Sequence, residues 1–217
     1  ESHTPLLWTH LIPATIEGRA LHNVQNAMFA AALAYNMDIS LEDIRQGLRT
    51  FDSTFFQAPG RMNIYDEHPF RVILDYAHNP AAVKAMCDLV DRFDTEGKRI
   101  VVLSAPGDRR DEDIREIAGI ASGHFDHFIC RRDDNTRGRG EDEVAVMLKN
   151  RLLEAGISPD QIEVIPDEQE ANTRALEMAA PGDLILILGD HIKRTWKQII
   201  YFNSGSRVDN GGKKVSA

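Results

Sequence analysis

Two unbroken apolar runs, Ile100-Val-Val-Leu103 and Leu184-Ile-Leu-Ile-Leu188, set the strongest constraint on this chain. A strand with one wet face alternates apolar and polar residues, whereas a strand buried on both faces does not. Runs like these belong in a parallel sheet covered by helices. The flanking sequence agrees. Residues 64–65 and 71–75 read as two strands around the His68-Pro69 turn. Helix 80–93, strand 99–104, helix 111–122, strand 125–130 and helix 141–155 follow. Strand 162–165, helix 167–179, strand 183–188 and helix 192–202 complete the series. This alternation predicts an α/β domain with a Rossmann-like, doubly wound, mostly parallel sheet. Its ligands should sit at the carboxyl ends of the strands.

The first 58 residues read differently. Residues 1–18 are short and β-like, with Leu6-Leu-Trp8 and Ile12-Pro-Ala-Thr-Ile16. Residues 21–36 form a helix pattern with a small-residue face of Ala27, Ala30, Ala31, Ala32 and Ala34. Ser40 then starts a second helix, with Glu42 and Asp43 in its first turn, ending near Phe51. Gln57-Ala-Pro-Gly-Arg61 is a turn signal and a linker. A piece this small and alanine-rich reads as the end of a larger domain, and as the less stable part of the chain. The expected division is therefore 1–58, an α/β domain at 59–203, and a Gly/Ser/Lys-rich tail at 204–217 that frays.

Composition narrows the classes of partner. A net charge of −9 argues against binding a nucleic-acid backbone. No apolar run approaches the ~18–20 residues that span a bilayer. The start shows no basic-then-apolar leader, so a cytoplasmic protein is expected. Cys87 and Cys130 lack metal spacing and suit a reducing compartment as small hydrophobes.

The residues after each strand are charged, which sheet packing does not require. They are Asp75-Tyr-Ala-His-Asn-Pro80, Ser104-Ala-Pro-Gly-Asp-Arg-Arg-Asp111, Arg131-Arg-Asp-Asp-Asn-Thr-Arg-Gly138 and Gly189-Asp-His-Ile-Lys-Arg194. Asp, His and several Arg along one edge suit a polyanionic ligand together with a carboxylate or amino-acid substrate. Plainer roles compete. Asp75 and Asp111 suit helix caps, and the arginines are as readily solvated surface. His124 and His127 suit structural positions, and His10 and His68 the surface. No His/Cys/Asp set has metal-ligand spacing. A phosphate-cradling G-x-x-x-x-G-K-[ST], a G-x-G-x-x-G and a nucleophile elbow are all missing from these residues. Triphosphate chemistry would need a P-loop from another segment.

Three motifs in order carry a resemblance. His22-Asn-Val-Gln-Asn-Ala27 opens the alanine-rich helix, Pro59-Gly-Arg61 follows the second helix, and Asp75-Tyr-Ala-His-Asn-Pro80 ends a strand. Over about residues 11–202 the chain resembles the Mur ligase superfamily of ATP-dependent amide-bond ligases. Within it, the likeness is to the Mur-ligase-like part of the cyanophycin synthetases. It rests on Glu42-Asp-Ile-Arg-Gln-Gly-Leu-Arg-Thr-Phe51, Ala105-Pro-Gly-Asp-Arg-Arg-Asp-Glu-Asp-Ile114 and Arg132-Asp-Asp-Asn-Thr-Arg-Gly138.

That resemblance implies arginine addition to the β-carboxylate of a poly-aspartate backbone through an acyl phosphate, with ATP and Mg²⁺. The Mg²⁺ ligands would lie mainly in an upstream ATPase domain, the expected partner within the same enzyme, and these residues alone would be inactive. By position, His22, Asn26 and Asn23 would contact adenine, and Arg61 would reach the phosphates from a hinge at 57–61. Asp75 would hold the ribose hydroxyls, with Tyr76 and His78 on the same edge. Arg61 and His78 are the catalytic candidates. Asp108, Arg109, Asp134, Asn135 and Arg137 are the substrate-binding candidates, and Asp133 is a further carboxylate for a guanidinium. Thr136 stands where diaminopimelate-adding relatives have Pro, which argues against that substrate. Three alternatives stay open: a ligase joining β-aspartyl-arginine dipeptides, a peptidoglycan or folylpolyglutamate type, and a non-catalytic ligand-binding module. A homo-oligomer is open as well.

Overall fold

A computed structural model describes residues 4–203. The fraying expected for 204–217 lies outside the described residues. The chain folds around one six-stranded sheet made of β1 (Asn63–Tyr65), β2 (Arg71–Asp75), β3 (Arg99–Leu103), β4 (His127–Cys130), β5 (Ile162–Val164) and β6 (Leu184–Leu188). The strand order is β1-β2-β6-β3-β4-β5. Only β1 runs antiparallel, pairing Ile64 with Ile73. The other four pairings are parallel, with Ile73 opposite Leu186, Val101 opposite Leu186 and Val101 opposite Phe128. The expected doubly wound, mostly parallel α/β sheet is therefore present.

Burial explains the unbroken runs. Val101 and Leu103 join Ile73, Leu186, Phe128 and Cys130 in one core, closed by α3 (Pro80–Val90), α4 (Asp111–Ala121) and α5 (Glu143–Glu154). Their neighbours Ile100 and Val102 join Val72, Leu74, Ile129, Ile185 and Ile187 in a second core on the opposite face. Buried residues of α6 (Glu168–Met178) and α7 (Ile192–Tyr201) close that side. Each apolar side chain so buried contributes about 1.5–3 kcal/mol, so a polar residue at any of these positions opposes the fold.

Before the sheet lie α1 (Leu21–Asn36) and α2 (Leu41–Thr50). Ser40 caps α2, its Oγ accepting the Asp43 N–H at 3.2 Å. Residues 4–18 correct the β-like expectation: they contain two short 3-10 turns, Thr9–Leu11 and Pro13–Thr15, and no strand. Pro13 has no N–H to give a ladder, and the Thr15 hydroxyl ties the turns together through the Thr9 and Ile12 carbonyls, both at 2.8 Å.

Three further expectations are corrected. Asp111 does not cap α4. Arg110 holds the cap position, and Asp111 is the first helical residue, paired with Arg139 at 2.7 Å. His68 is half-buried rather than on the surface. Its Nε2 meets the Ile199 carbonyl at 2.8 Å, and its ring packs against Tyr65, Phe70 and Phe202. Arg131 is not solvated: it is fully buried.

Candidate functional site

The carboxyl ends of β2, β3, β4 and β6 meet along one edge of the sheet, and the candidate residues gather there in two groups. The first surrounds Asp75. This carboxylate ends β2, is 7% exposed, and accepts the Met62 N–H at 2.9 Å. Burial pushes its pKa up to about 6, against opposing pulls from the Met62 N–H, Arg61 and His78. A cleft carboxylate shifted by desolvation in this way is a candidate functional residue. His78 Nδ1 meets the Tyr76 carbonyl at 2.8 Å, and the two rings lie 5.0 Å apart. Asn79, not Asp75, caps α3, accepting the Ala82 N–H at 2.9 Å.

The strand β1 fixes the approach to Asp75. Asn63 is buried, and its amide donates to the Ser53 and Ala58 carbonyls at 2.8 and 2.9 Å. Its Oδ1 accepts the Gly60 N–H at 2.7 Å. Phe55 stacks on Trp196 of α7 at 4.9 Å. Gly60 takes φ +71°, and a Cβ there would lie 2.9 Å from Ile192. Met62 is left-handed at φ 47°, which costs an L residue about 1–2 kcal/mol and delivers its N–H to Asp75. Arg61 therefore leaves a segment tied firmly to the sheet.

Arg61 also lines a groove of about 700 Å³ with Asn23 and Asn26, floored by Ala27, Ala30 and Ala31. Asn23 donates to the Ala14 carbonyl at 2.7 Å and accepts from Asn26 at 3.0 Å. His22 lies outside that lining. It is half-buried, and burial lowers its pKa.

The second group joins the loops after β3 and β4. Arg137 reaches Asp108 at 2.8 Å, and its N–H donates to Asn135 Oδ1 at 2.9 Å. The Arg137 hydrogen bond holds Asp108 below the usual carboxylate range. Arg139 clamps the same loops, donating to the Gly107 carbonyl at 2.7 Å and the Arg109 carbonyl at 2.8 Å. Arg109 Nε is buried without a hydrogen-bond partner, which fits an anionic group. Among the described residues no three His, Cys, Asp or Glu stand close enough to hold a metal ion. This edge therefore does not fit a Mg²⁺ cage by itself.

Beneath the second group lies a charge network that the sequence did not expose. Glu168, at the start of α6, is fully buried. It accepts the Asp190 N–H at 2.7 Å and the His191 N–H at 3.3 Å, pairs with Arg131 at 3.1 Å, and takes Arg194 at 2.5 Å. Arg194 also holds Asp134 at 2.8 Å, which pulls the Asp134 pKa down, and His191 meets the same oxygen at 3.3 Å. Asp133 is buried beside Arg131, and burial raises its pKa.

A parallel sheet with its charged residues at the carboxyl edge is the frame of a ligand-binding α/β domain. The family model for Mur ligase, glutamate ligase domain, matches residues 60–191. The chain belongs to the Mur ligase family. It is similar to the cyanophycin synthetase of Trichormus variabilis, at 38% identity over 88% of this chain and 22% of that protein. It is also similar to a UDP-N-acetylmuramoyl-L-alanyl-D-glutamate–2,6-diaminopimelate ligase of Clostridium acetobutylicum, at 30% identity over 77% of this chain and 33% of that one. Among solved structures it matches a pseudomurein peptide ligase type C from Methanothermus fervidus, with TM-score 0.61 and 27% identity over 82% of this chain and 35% of that one. The chain spans about a fifth of the length of the cyanophycin synthetase it matches. Among the described residues no helix is long and apolar enough to cross a membrane.

Proposed function

We propose that this chain is the carboxyl-terminal part of an ATP-dependent amide ligase of the cyanophycin synthetase type, one that adds arginine to the β-carboxylate of a poly-aspartate backbone. The observation that carries this reading is the buried Asp75 carboxylate beside Arg61 and His78, at the strand end where a doubly wound sheet takes its ligand. The 38% identity to a cyanophycin synthetase supports the substrate class. The exposed side chains of Met28, Phe29, Leu33 and Met37 on α1 and its cap, each at least 66% accessible, support an upstream domain as partner.

In the proposed reaction the acceptor carboxylate attacks the γ-phosphorus of ATP, releasing ADP and forming an acyl phosphate. The arginine amine then attacks the acyl carbon, and phosphate leaves with the bonding pair while the amine loses a proton. Within this scheme Asp75, ionised above its pKa of about 6, accepts from the ribose hydroxyls. Arg61 faces the phosphates, and His78 and Tyr76 close the nucleotide edge. Asn23 and Asn26, and His22 beside them, take the adenine. Asp108, Arg109, Asp134, Asn135 and Arg137 form the amine side, where fixed cations offset the charge that builds in the transition state. ATP brings the activating phosphoryl group, and the Mg²⁺ that accompanies it is held mainly by the upstream domain.

The test is phosphate release by the full-length enzyme given ATP, Mg²⁺, an aspartate-backbone primer and either arginine or β-aspartyl-arginine. Release that needs arginine and disappears in Asp75→Ala is the expected result. Release with the dipeptide alone moves the assignment to a dipeptide-joining ligase. A folded enzyme that releases phosphate with neither is not a ligase of this class.

A further inference from the structure

Asp134 is not free to choose its own position. Arg194 donates to its Oδ2 at 2.8 Å, and His191 Nε2 lies 3.3 Å from the same oxygen. Arg194 is in turn anchored on the fully buried Glu168, which also fixes the backbone N–H groups of Asp190 and His191. The Asp190 carboxylate closes the ring, accepting the Asp134 N–H at 3.2 Å. One buried carboxylate from α6 thus joins the loop after β4 to the turn after β6.

A buried ion pair of this kind is weak evidence for stability, because desolvation offsets much of the attraction. Its value is geometric. The Arg194 bond to Oδ2 leaves Oδ1 of Asp134 as the oxygen for an incoming cationic donor, at an orientation that thermal motion of a lone surface aspartate would not keep. We infer that Glu168 and Arg194 are positioning residues that hold Asp134 for the ammonium or guanidinium of the amine substrate, without acting on the nucleotide. The inference rests on the ligase reading above and adds to it the residues that set amine affinity. Neither positioning residue contacts Asp75, so the two half-sites are separable by mutation.

Arg194→Met removes the bridge between Glu168 and Asp134 and leaves the buried Arg131–Glu168 pair in place. Glu168→Gln keeps the shape and removes the charge. In the full-length enzyme both are expected to raise KM for L-arginine roughly tenfold or more, with KM for ATP within about twofold of wild type. A purely structural role would move both constants or neither, and either result overturns the inference. Amide hydrogen exchange on this chain gives a readout that needs no turnover. The Asp190 and His191 amides, which donate to Glu168, and the Asp134 amide, which donates to Asp190, should exchange roughly tenfold faster in Glu168→Gln, with the β6 interior unchanged. Unchanged exchange at those three amides overturns the inference whatever the activity. Faster exchange in an enzyme that never shows amine-dependent phosphate release overturns the ligase reading, and with it the amine assignment, while the coupling of the two loops stands.

Discussion

Asp75 Oδ2 accepts the Met62 N–H at 2.9 Å, and Met62 reaches it only by taking a left-handed backbone at φ 47°. A strained residue thus supports a carboxylate that burial itself destabilises. Neither feature helps the fold, and their coincidence at one strand end makes it a candidate binding site.

Asp75→Asn should therefore stabilise the protein while removing nucleotide-dependent activity. The folded pKa, about 6, stands above the ordinary aspartate value of 3.8. Between those values the folded state binds the extra proton, so stability falls as pH rises through the window. Above pH 6 the ionised carboxylate costs about 3 kcal/mol relative to pH below 3.8, about 2.2 pH units at 1.36 kcal/mol each. Asn keeps an acceptor for the Met62 N–H and carries no charge. Thermal melts should show the variant more stable than wild type at pH 7.5 and no more stable at pH 3.5. A variant less stable than wild type at pH 7.5 would mean the carboxylate is structural.

Asn63→Ala should loosen the approach to the site. It strips one buried acceptor from the Gly60 N–H and one donor from the Ser53 and Ala58 carbonyls. Leaving such backbone groups unpaired costs about 3 kcal/mol in all. Urea unfolding of the chain should report a loss of that size with an unchanged m-value. In the full enzyme KM for ATP should rise, because Arg61 leaves the segment that Asn63 holds.

Gly107→Ala tests the contact between the loops after β3 and β4. A Cβ there would lie 2.1 Å from the Thr136 carbonyl oxygen, so the loops must separate. The backbone angle is ordinary, and the effect is steric alone. Such overpacking costs about 1–3 kcal/mol, read as a lower melting temperature. The Asp108–Arg137 pair spans the same gap, so KM for the amine should rise more than KM for ATP.

The sheet was legible in the sequence because its strands are buried on both faces, and a continuous run such as Leu184–Leu188 suits few backbones besides a strand covered on both sides. The placement of Asp75, Tyr76 and His78 together at one strand end was legible because their motif closes a strand pattern. Glu168 and Arg131 were not. Glu168 reads as an acidic residue in the first turn of a helix, and Arg131 as half of an exposed-looking Arg-Arg pair. Their burial is decided by the crossing of α6 over the ends of β4 and β6, which no local pattern encodes. Residues 4–18 misled for a related reason: a short apolar run says that something is buried, not which backbone buries it. Asp111 misled because it sits one residue inside the helix, and Arg139, distant in sequence, takes its carboxylate.

The two cysteines supply the last prediction. Cys87 faces the core under α3, Cys130 ends β4, and both are free and fully buried. Burial pushes each thiol up to about 12, so almost no thiolate exists at pH 7. The thiolate is the reacting species, and here each sulfur stays a neutral thiol without access to solvent. A thiol-reactive disulfide reagent should therefore label neither residue in the native chain and both after denaturation. Labelling in urea should track unfolding, since only opening of the core exposes the thiols. Rapid native labelling of Cys130 would show that β4 opens locally. The loop carrying Asp134 would then rest on a mobile strand, and the ordering of Asp134 by Glu168 and Arg194 would lose its foundation.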